Sequence, residues 1–283
     1  MSKKVKKFTQ APLPFQGQKR RFLKAFKQSL NDFPNDAIYI DLFGGSGLLA
    51  HSVKQQYPNA QVIWNDFDNY TERIKNIDKT NELIGDLRQI LSDYPRKERI
   101  TGKLREAVLK RVKQADDSGY VDYITLSGSI LFSAKYKMSY AELEKETIYN
   151  NVKLSDYDST GYLEEVDRVC LDYKELYKQY KDIPNVVWLI DPPYLSTDTS
   201  TYNSDSYWRL RDYLDILNVL QNANYFYFTS NKSQIIELCE WFETRTFVGN
   251  PFAGGTTVTV DTTLNHSAKY TDIMIYSCKK SSY

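Results

Sequence analysis

The sequence is poor in the residues that build disulfide frameworks and metal centres. Its 283 residues include three cysteines and two histidines. Cys170, Cys239 and Cys278 are scattered, odd in number and without CxxC spacing, so they read as reduced thiols and no metal site is expected. No apolar run approaches the length of a membrane span. The opening "MSKKVKKFTQAPLPF" is basic but lacks the apolar core of a secretory signal, so a cytoplasmic location is expected. There is no internal repeat and no low-complexity tract. Net charge is also missing: 37 Lys and Arg stand against 36 Asp and Glu, a balance of +1. A nucleic-acid contact would therefore need its positive charge gathered locally. Tyrosine is abundant, with 23 in a chain that is 14% aromatic. Most serve as amphipathic core and surface residues, and some are available for stacking.

The apolar pattern alternates between strands and helices. After the basic start, Phe22, Phe26 and Leu30 recur at helical spacing. "AIYIDLF" (37–43) is a short β-forming run, followed at once by "GGSG" (44–47), a helical "LLAHSVKQQY" and the strand "AQVIWND" (60–66). This is a βαβ unit of about 30 residues. From 69 to 114 the chain reads as helical and charged, 120–135 as a buried helix, and 136–182 as mixed and rich in tyrosine. Strands return at "NVVWLID" (185–191) and "NYFYFTSN" (224–231), with helices expected at 206–222 and 233–242 and two closing strands. The fold class is α/β: an open sheet in two parts, 1–94 and 184–283, carrying a mostly helical insertion at 95–183. Such sheets bind ligands at the carboxyl ends of their strands. Gly44–Gly47, Asp66 and Asp191–Tyr194 all fall just after strand ends.

The glycine turn lets a ligand approach the backbone closely. Asp66 lies about 20 residues further on, where a carboxylate can accept from ribose hydroxyls. The turn lacks the lysine of a P-loop. It suits an adenosine-containing cofactor, and by itself does not separate NAD from S-adenosylmethionine (AdoMet). "DPPY", Asp191 to Tyr194, narrows the chemistry. An exocyclic amine has two N–H donors, and Asp191 Oδ and the Pro192 carbonyl can each accept one. Tyr194 offers a face on which a planar base stacks. The set suits methyl transfer from a sulfonium to an amino nitrogen, through alignment and electrostatics. No cysteine sits in a Pro-Cys loop, which argues against methylation of a base carbon.

These motifs together resemble the Dam-type (D12 class, α-group) DNA adenine-N6 methyltransferases, in the family's order and over most of the chain. "PFQGQK" (14–19) resembles the N-terminal motif, "DLFGGSG" (41–47) the glycine motif, "WNDFD" (64–68) the acidic strand end and "DPPY" the catalytic motif. "YWRLRDYLDIL" (207–217), "FYFTSN" (226–231) and "TLNHSAKYTDIMIY" (263–276) are similar to the segments that follow it. The resemblance implies a Rossmann-like AdoMet-dependent fold with an inserted target-recognition region. It implies that Phe15, Lys19, Asp41, Phe43, Gly44, Gly45, Gly47, Asp66 and Asp191 contact AdoMet. Asp66 would hold the ribose, and Asp191, Pro192 and Tyr194 the target amine. The chain departs from the family at Phe15, where Trp or Tyr is usual, at Gln18 in place of Gly, and at Asp41 in place of Glu. "ITLSGSILFSAKY" (124–136) looks like the family's buried helix leading into its recognition segment.

The stretch "RKERITGKLREAVLKRVK" (96–113) supplies the local positive charge that the whole chain lacks. Lys103, Arg105, Lys110 and Arg111 are expected on DNA phosphates, and Tyr136, Lys137, Tyr140 and the 196–204 loop on the opened duplex. An adenine inside a duplex cannot reach Asp191, so the base must be flipped out. His266 and Asn231 read as loop and cap residues, with a cofactor edge as the alternative for Asn231, and Trp64 and Trp188 read as core. The expected protein is a monomeric, site-specific DNA adenine-N6 methyltransferase acting on double-stranded DNA, with a restriction endonuclease as one expected counterpart. An RNA adenine-N6 methyltransferase and a catalytically inactive AdoMet-binding protein are the alternatives.

Overall fold

The computed structural model describes residues 8–132, 136–193, 208–244, 249–265 and 268–279. They form two compact units: 18–68 with 163–283, and 1–17 with 69–162.

The first unit is built on one seven-stranded sheet of order β3-β2-β1-β4-β5-β7-β6. The strands are β1 (Ile38–Asp41), β2 (Gln61–Asn65), β3 (Asp167–Val169), β4 (Val186–Ile190), β5 (Asn224–Ser230), β6 (Thr256–Asn265) and β7 (Ala268–Ser277). Strands β1 to β5 run parallel, while β7 is antiparallel to both β5 and β6. β4 is buried along its whole length and reads VVWLI, the continuous apolar run expected of a strand covered on both faces. Helices α1 (Leu23–Ser29) and α2 (Leu48–Gln56) belong to this unit, as do α8 (Tyr173–Tyr180), α9 (Leu210–Leu220) and α10 (Ile235–Glu243). One core cluster joins Ile40, Ile63, Trp188 and Tyr227 of the strands to Leu176 of α8, Ile216 and Leu217 of α9 and Cys239 of α10. Phe26 of α1 packs edge-on against Phe226 of β5, with ring centroids 4.8 Å apart.

Strand order reverses about β1. The chain steps outward to β2 and β3, then returns to the other side of β1 with β4. The crevice for a ligand therefore opens where β1 and β4 end. There Asp41 pairs in register with Leu189, and the Leu42 N–H donates to the Leu189 carbonyl at 3.0 Å.

The second unit is helical: α3 (Tyr70–Lys75), α4 (Ile77–Ile90), α5 (Gly102–Asp117), α6 (Tyr123–Ile130) and α7 (Tyr140–Leu143). Leu83, Ile84 and Leu87 of α4 share a core with Val108 and Val112 of α5 and Leu126 of α6. The helical unit therefore differs from the expected 95–183 block. It begins at Asn69, because Leu83, Ile84 and Leu87 of α4 are part of this core, and it ends at Tyr162. Residues 167–180 return to the sheet unit as β3 and α8. The helix expected over 120–135 is shorter: α6 ends at Ile130, and Leu131 turns extended to bridge Ile148. No described helix is long and apolar enough to cross a membrane.

Candidate active site

The glycine turn follows β1 directly, and Gly47 caps α2 with φ +74°, a backbone that side chains other than glycine rarely adopt. Gly44 has a different constraint. A Cβ placed there would fall 2.1 Å from Cδ1 and 2.4 Å from Nε1 of Trp64. A Cβ on Gly47 would meet Leu163 at 2.8 Å and Trp64 Cε2 at 3.1 Å. The indole of Trp64, projecting from β2, is thus the floor of the turn. Its Nε1 is buried and without a partner among the described residues. Trp64 is more than the core residue expected, whereas Trp188 is core, packed on Tyr177 at 5.3 Å.

Asp41 ends β1 and is buried, at 1% exposure. Its Oδ2 accepts from the Ala50 N–H of α2 at 3.4 Å, and its Oδ1 has no partner among the described residues. Burial first, and the nearby Asp191 second, push its carboxyl up to about 8, against weaker opposition from the Ala50 N–H and Lys19. Asp191 begins the segment beyond β4. Lys19 is buried, and its Nζ meets Asp191 Oδ2 at 2.5 Å. Burial pushes the Asp191 carboxyl above the ordinary carboxylate range, while Lys19 pulls it down. Pro192 is buried beside it. The edge therefore holds two carboxyl groups and one ammonium. Tyr194, the 196–204 loop and His266 lie outside the described residues.

Asp66, at the end of β2, is fully buried, and its Oδ2 accepts from Arg168 Nε of β3 at 2.7 Å. Half-buried Phe43 contacts the rings of Tyr173, at 5.2 Å, and Trp208, at 5.4 Å. Tyr173 and Trp208 stack at 5.3 Å. Arg168, Tyr173 and Trp208 are additions that the sequence reading missed. Tyr173 had one legible signal. Asp172 precedes a helical "YKELY" and caps α8 by accepting from the Lys174 N–H. Arg168 had none, since its partner is 102 residues away. Asn231 is tied to β7: its Oδ1 accepts from the Thr271 N–H at 3.0 Å, which favours the capping role.

In the helical unit, Phe15 lies edge-on to Tyr70, with centroids 5.7 Å apart. The basic residues divide. Lys103 and Lys110 are exposed on α5. Arg111 Nε donates to Asp86 Oδ2 at 2.7 Å, and its Nη2 faces Glu82. Arg105 Nη2 donates to the Glu144 and Glu146 carbonyls. Lys137 pairs with Glu146 at 2.7 Å, Tyr136 is half-buried, and Lys113 lies over the Tyr140 ring.

A seven-stranded sheet with an antiparallel β7, loaded at its switch point with glycines and two acidic side chains, has the Rossmann-like methyltransferase architecture. The family model described as D12 class N6 adenine-specific DNA methyltransferase matches residues 15–235. A Haemophilus influenzae protein provisionally named a methyltransferase is 35% identical over 282 residues, covering 96% of this chain and 93% of its own. The chain belongs to the D12 class N6 adenine-specific DNA methyltransferase family and is a methyltransferase enzyme.

Proposed function

We propose that the protein transfers the methyl group of AdoMet to N6 of an adenine flipped out of double-stranded DNA. The observation that carries this reading is the placement of Asp191, paired with Lys19, at the sheet switch point beside the glycine turn. The residues fit the cofactor. The turn has no room for a Cβ at Gly44, which leaves bare backbone at the edge. The unpartnered Oδ1 of Asp41 suits an ammonium such as that of the methionine moiety. Asp66, oriented by Arg168, takes the ribose hydroxyls. Phe43 offers apolar ring surface, and Lys19 serves both the cofactor and Asp191.

When bound, AdoMet supplies an electrophilic methyl group on its sulfonium. Asp191, held ionised by Lys19, accepts one N6–H hydrogen bond and the Pro192 carbonyl accepts the other, which turns the nitrogen lone pair outward. Tyr194 stacks on the base. Lys103 and Lys110 hold DNA phosphates, while Tyr136 and Lys137 face the opened duplex. The enzyme would act in the cytoplasm as a monomer, with a restriction endonuclease as its functional counterpart.

The test is incubation with methyl-labelled AdoMet and unmethylated DNA of varied sequence, followed by nucleoside analysis. Labelled N6-methyladenine in DNA, absent with Asp191→Asn, is the expected result. Label in RNA alone, or no transfer despite AdoMet binding, would overturn it.

A further inference from the structure

Three short segments of the helical unit meet edge to edge, around Arg99, around Tyr149 and at Leu131. Arg99 bridges Tyr149 and Leu131 bridges Ile148, both antiparallel. The Ile100 N–H donates to the Ile148 carbonyl at 2.8 Å, and the Asn150 N–H to the Glu98 carbonyl at 3.0 Å. These two bonds flank Arg99 and Tyr149 and leave them a non-hydrogen-bonded pair, the type whose side chains stand closest. On the other side the Tyr149 N–H donates to the Ile130 carbonyl at 2.7 Å, and Asn151 Nδ2 to the Leu131 carbonyl at 3.2 Å.

Side chains alternate between the two faces of such a patch. Ile100, Leu131 and Ile148 point inward and are buried in the core shared with α4, α5 and α6. Arg99, Tyr149 and Phe132, each one residue along, therefore share the outward face. The rings of Phe132 and Tyr149 lie 5.5 Å apart. Phe132 is 67% exposed, and Arg99 is exposed on the same face. The Arg99 main chain is held, since the Tyr94 hydroxyl donates to its carbonyl at 2.6 Å, but its guanidinium has no acidic partner among the described residues. A single exposed aromatic is ordinary on a surface. Here two rings touch on a pinned backbone beside an uncompensated cation, so a flat ligand with a negative charge meets a surface that is already ordered.

We infer that Phe132, Tyr149 and Arg99 form a stacking site for an unpaired base of the DNA substrate, with Arg99 on the adjoining phosphate. A nucleotide matches the face in both respects: its base is planar, and its phosphate carries the charge that the guanidinium lacks. The inference rests on the reading of DNA as the substrate. It adds to that reading a contact that takes hold of a base rather than of the backbone alone. Phe132 carries the stack, Tyr149 supports its ring from the neighbouring segment, and Arg99 fixes the strand beside it.

The experiment measures binding of the full chain to a labelled, mixed-sequence single strand of DNA of about 12 nucleotides, and to a duplex, by fluorescence anisotropy across a salt series. Phe132→Ala should weaken single-strand binding about tenfold, the loss of one stacked base, with the salt slope and the melting temperature unchanged. Phe132→Leu keeps apolar bulk without a flat face and should lose as much. Arg99→Gln should weaken binding and flatten the single-strand salt slope by about 0.7, one phosphate contact. On an abasic strand, which has phosphates and no bases, wild type and Phe132→Ala should bind equally. Wild-type affinity in folded Phe132→Ala or Phe132→Leu overturns the inference, as does an equal loss on the abasic strand. A dimer that Phe132→Ala converts to monomer would assign the face to a second copy and overturn it too. If wild type binds neither single strand nor duplex, the DNA reading itself fails and takes this site with it. Normal wild-type binding with no loss in Phe132→Ala fails the stacking site alone.

Discussion

Lys19 Nζ and Asp191 Oδ2 stand 2.5 Å apart, a buried ammonium against the carboxylate that follows β4. The two influences on Asp191 oppose each other. Burial favours the protonated acid, and Lys19 favours the carboxylate. Accepting an N6–H bond requires the carboxylate. Activity should therefore fall on the acid side, as pH drops through the raised Asp191 value. Lys19→Gln removes the lowering influence, so the acid limb of the rate profile should move to higher pH. The check is the single-turnover rate against pH at saturating AdoMet, which separates this effect from weakened cofactor binding. An unmoved limb would mean that Lys19 does not keep Asp191 ionised.

Asp41 should make the cofactor-free protein less stable as pH rises. Its folded value is about 8 against an ordinary 3.8, so between those values the folded state holds a proton that the unfolded state has lost. The contribution is complete below pH 4 and is lost as pH climbs through 8. Asp41→Asn mimics the neutral acid and carries no such term. Thermal melting of both proteins at pH 5 and pH 8 should show wild type losing more stability between the two conditions. Parallel behaviour would rule out a buried, protonated Asp41.

Trp64 and Gly44 form a pair in which one residue dictates the other. Placing a Cβ 2.1 Å from the indole forces the ring or the turn to shift, so Gly44→Ala should destabilise the protein by roughly 1–3 kcal/mol. Trp64→Leu in the same chain makes room and should recover part of that loss, a coupling that a double-mutant cycle in urea would measure. If the glycine served only ligand approach, Gly44→Ala would leave stability near wild type and Trp64→Leu would rescue nothing.

This pair also marks where sequence reading stopped. "VVWLI" and "AIYIDLF" were legible as strands because a strand covered on both faces must be continuously apolar. The turn and "DPPY" were legible because glycine permits a backbone that other residues rarely adopt and proline fixes one locally. The reason for Gly44 was not legible, since the side chain beneath it comes from the next strand. β3 escaped notice for the opposite reason. Its three residues, Asp167–Val169, are exposed except for half-buried Val169 and mostly charged, and only their pairing with β2 makes them a strand. The boundary at Asn69 depends on α4 packing against α5 and α6, a tertiary choice that periodicity does not encode.

The basic stretch 96–113 reads as one DNA-facing block in sequence, but in the fold its cations divide by partner. Arg111 is engaged by Asp86 and Glu82, and Arg105 by the Glu144 and Glu146 carbonyls. Lys103 and Lys110 are exposed on α5. A phosphate contact releases counterions, and each one lost lowers the salt dependence of DNA affinity by about one unit of slope. Lys103→Gln with Lys110→Gln should therefore weaken DNA binding and flatten the log–log salt slope by about 2. Cofactor binding and thermal stability should be unchanged. Arg105→Gln and Arg111→Gln should act the other way, lowering thermal stability while leaving the slope near wild type, because their bonds are internal. Fluorescence anisotropy with labelled duplex from 50 to 200 mM salt, the window of about that range in which such slopes are steep, reads both. A flattened slope for the arginine variants with stability intact would return those residues to the DNA face. An unchanged slope for the lysine pair would remove α5 from it.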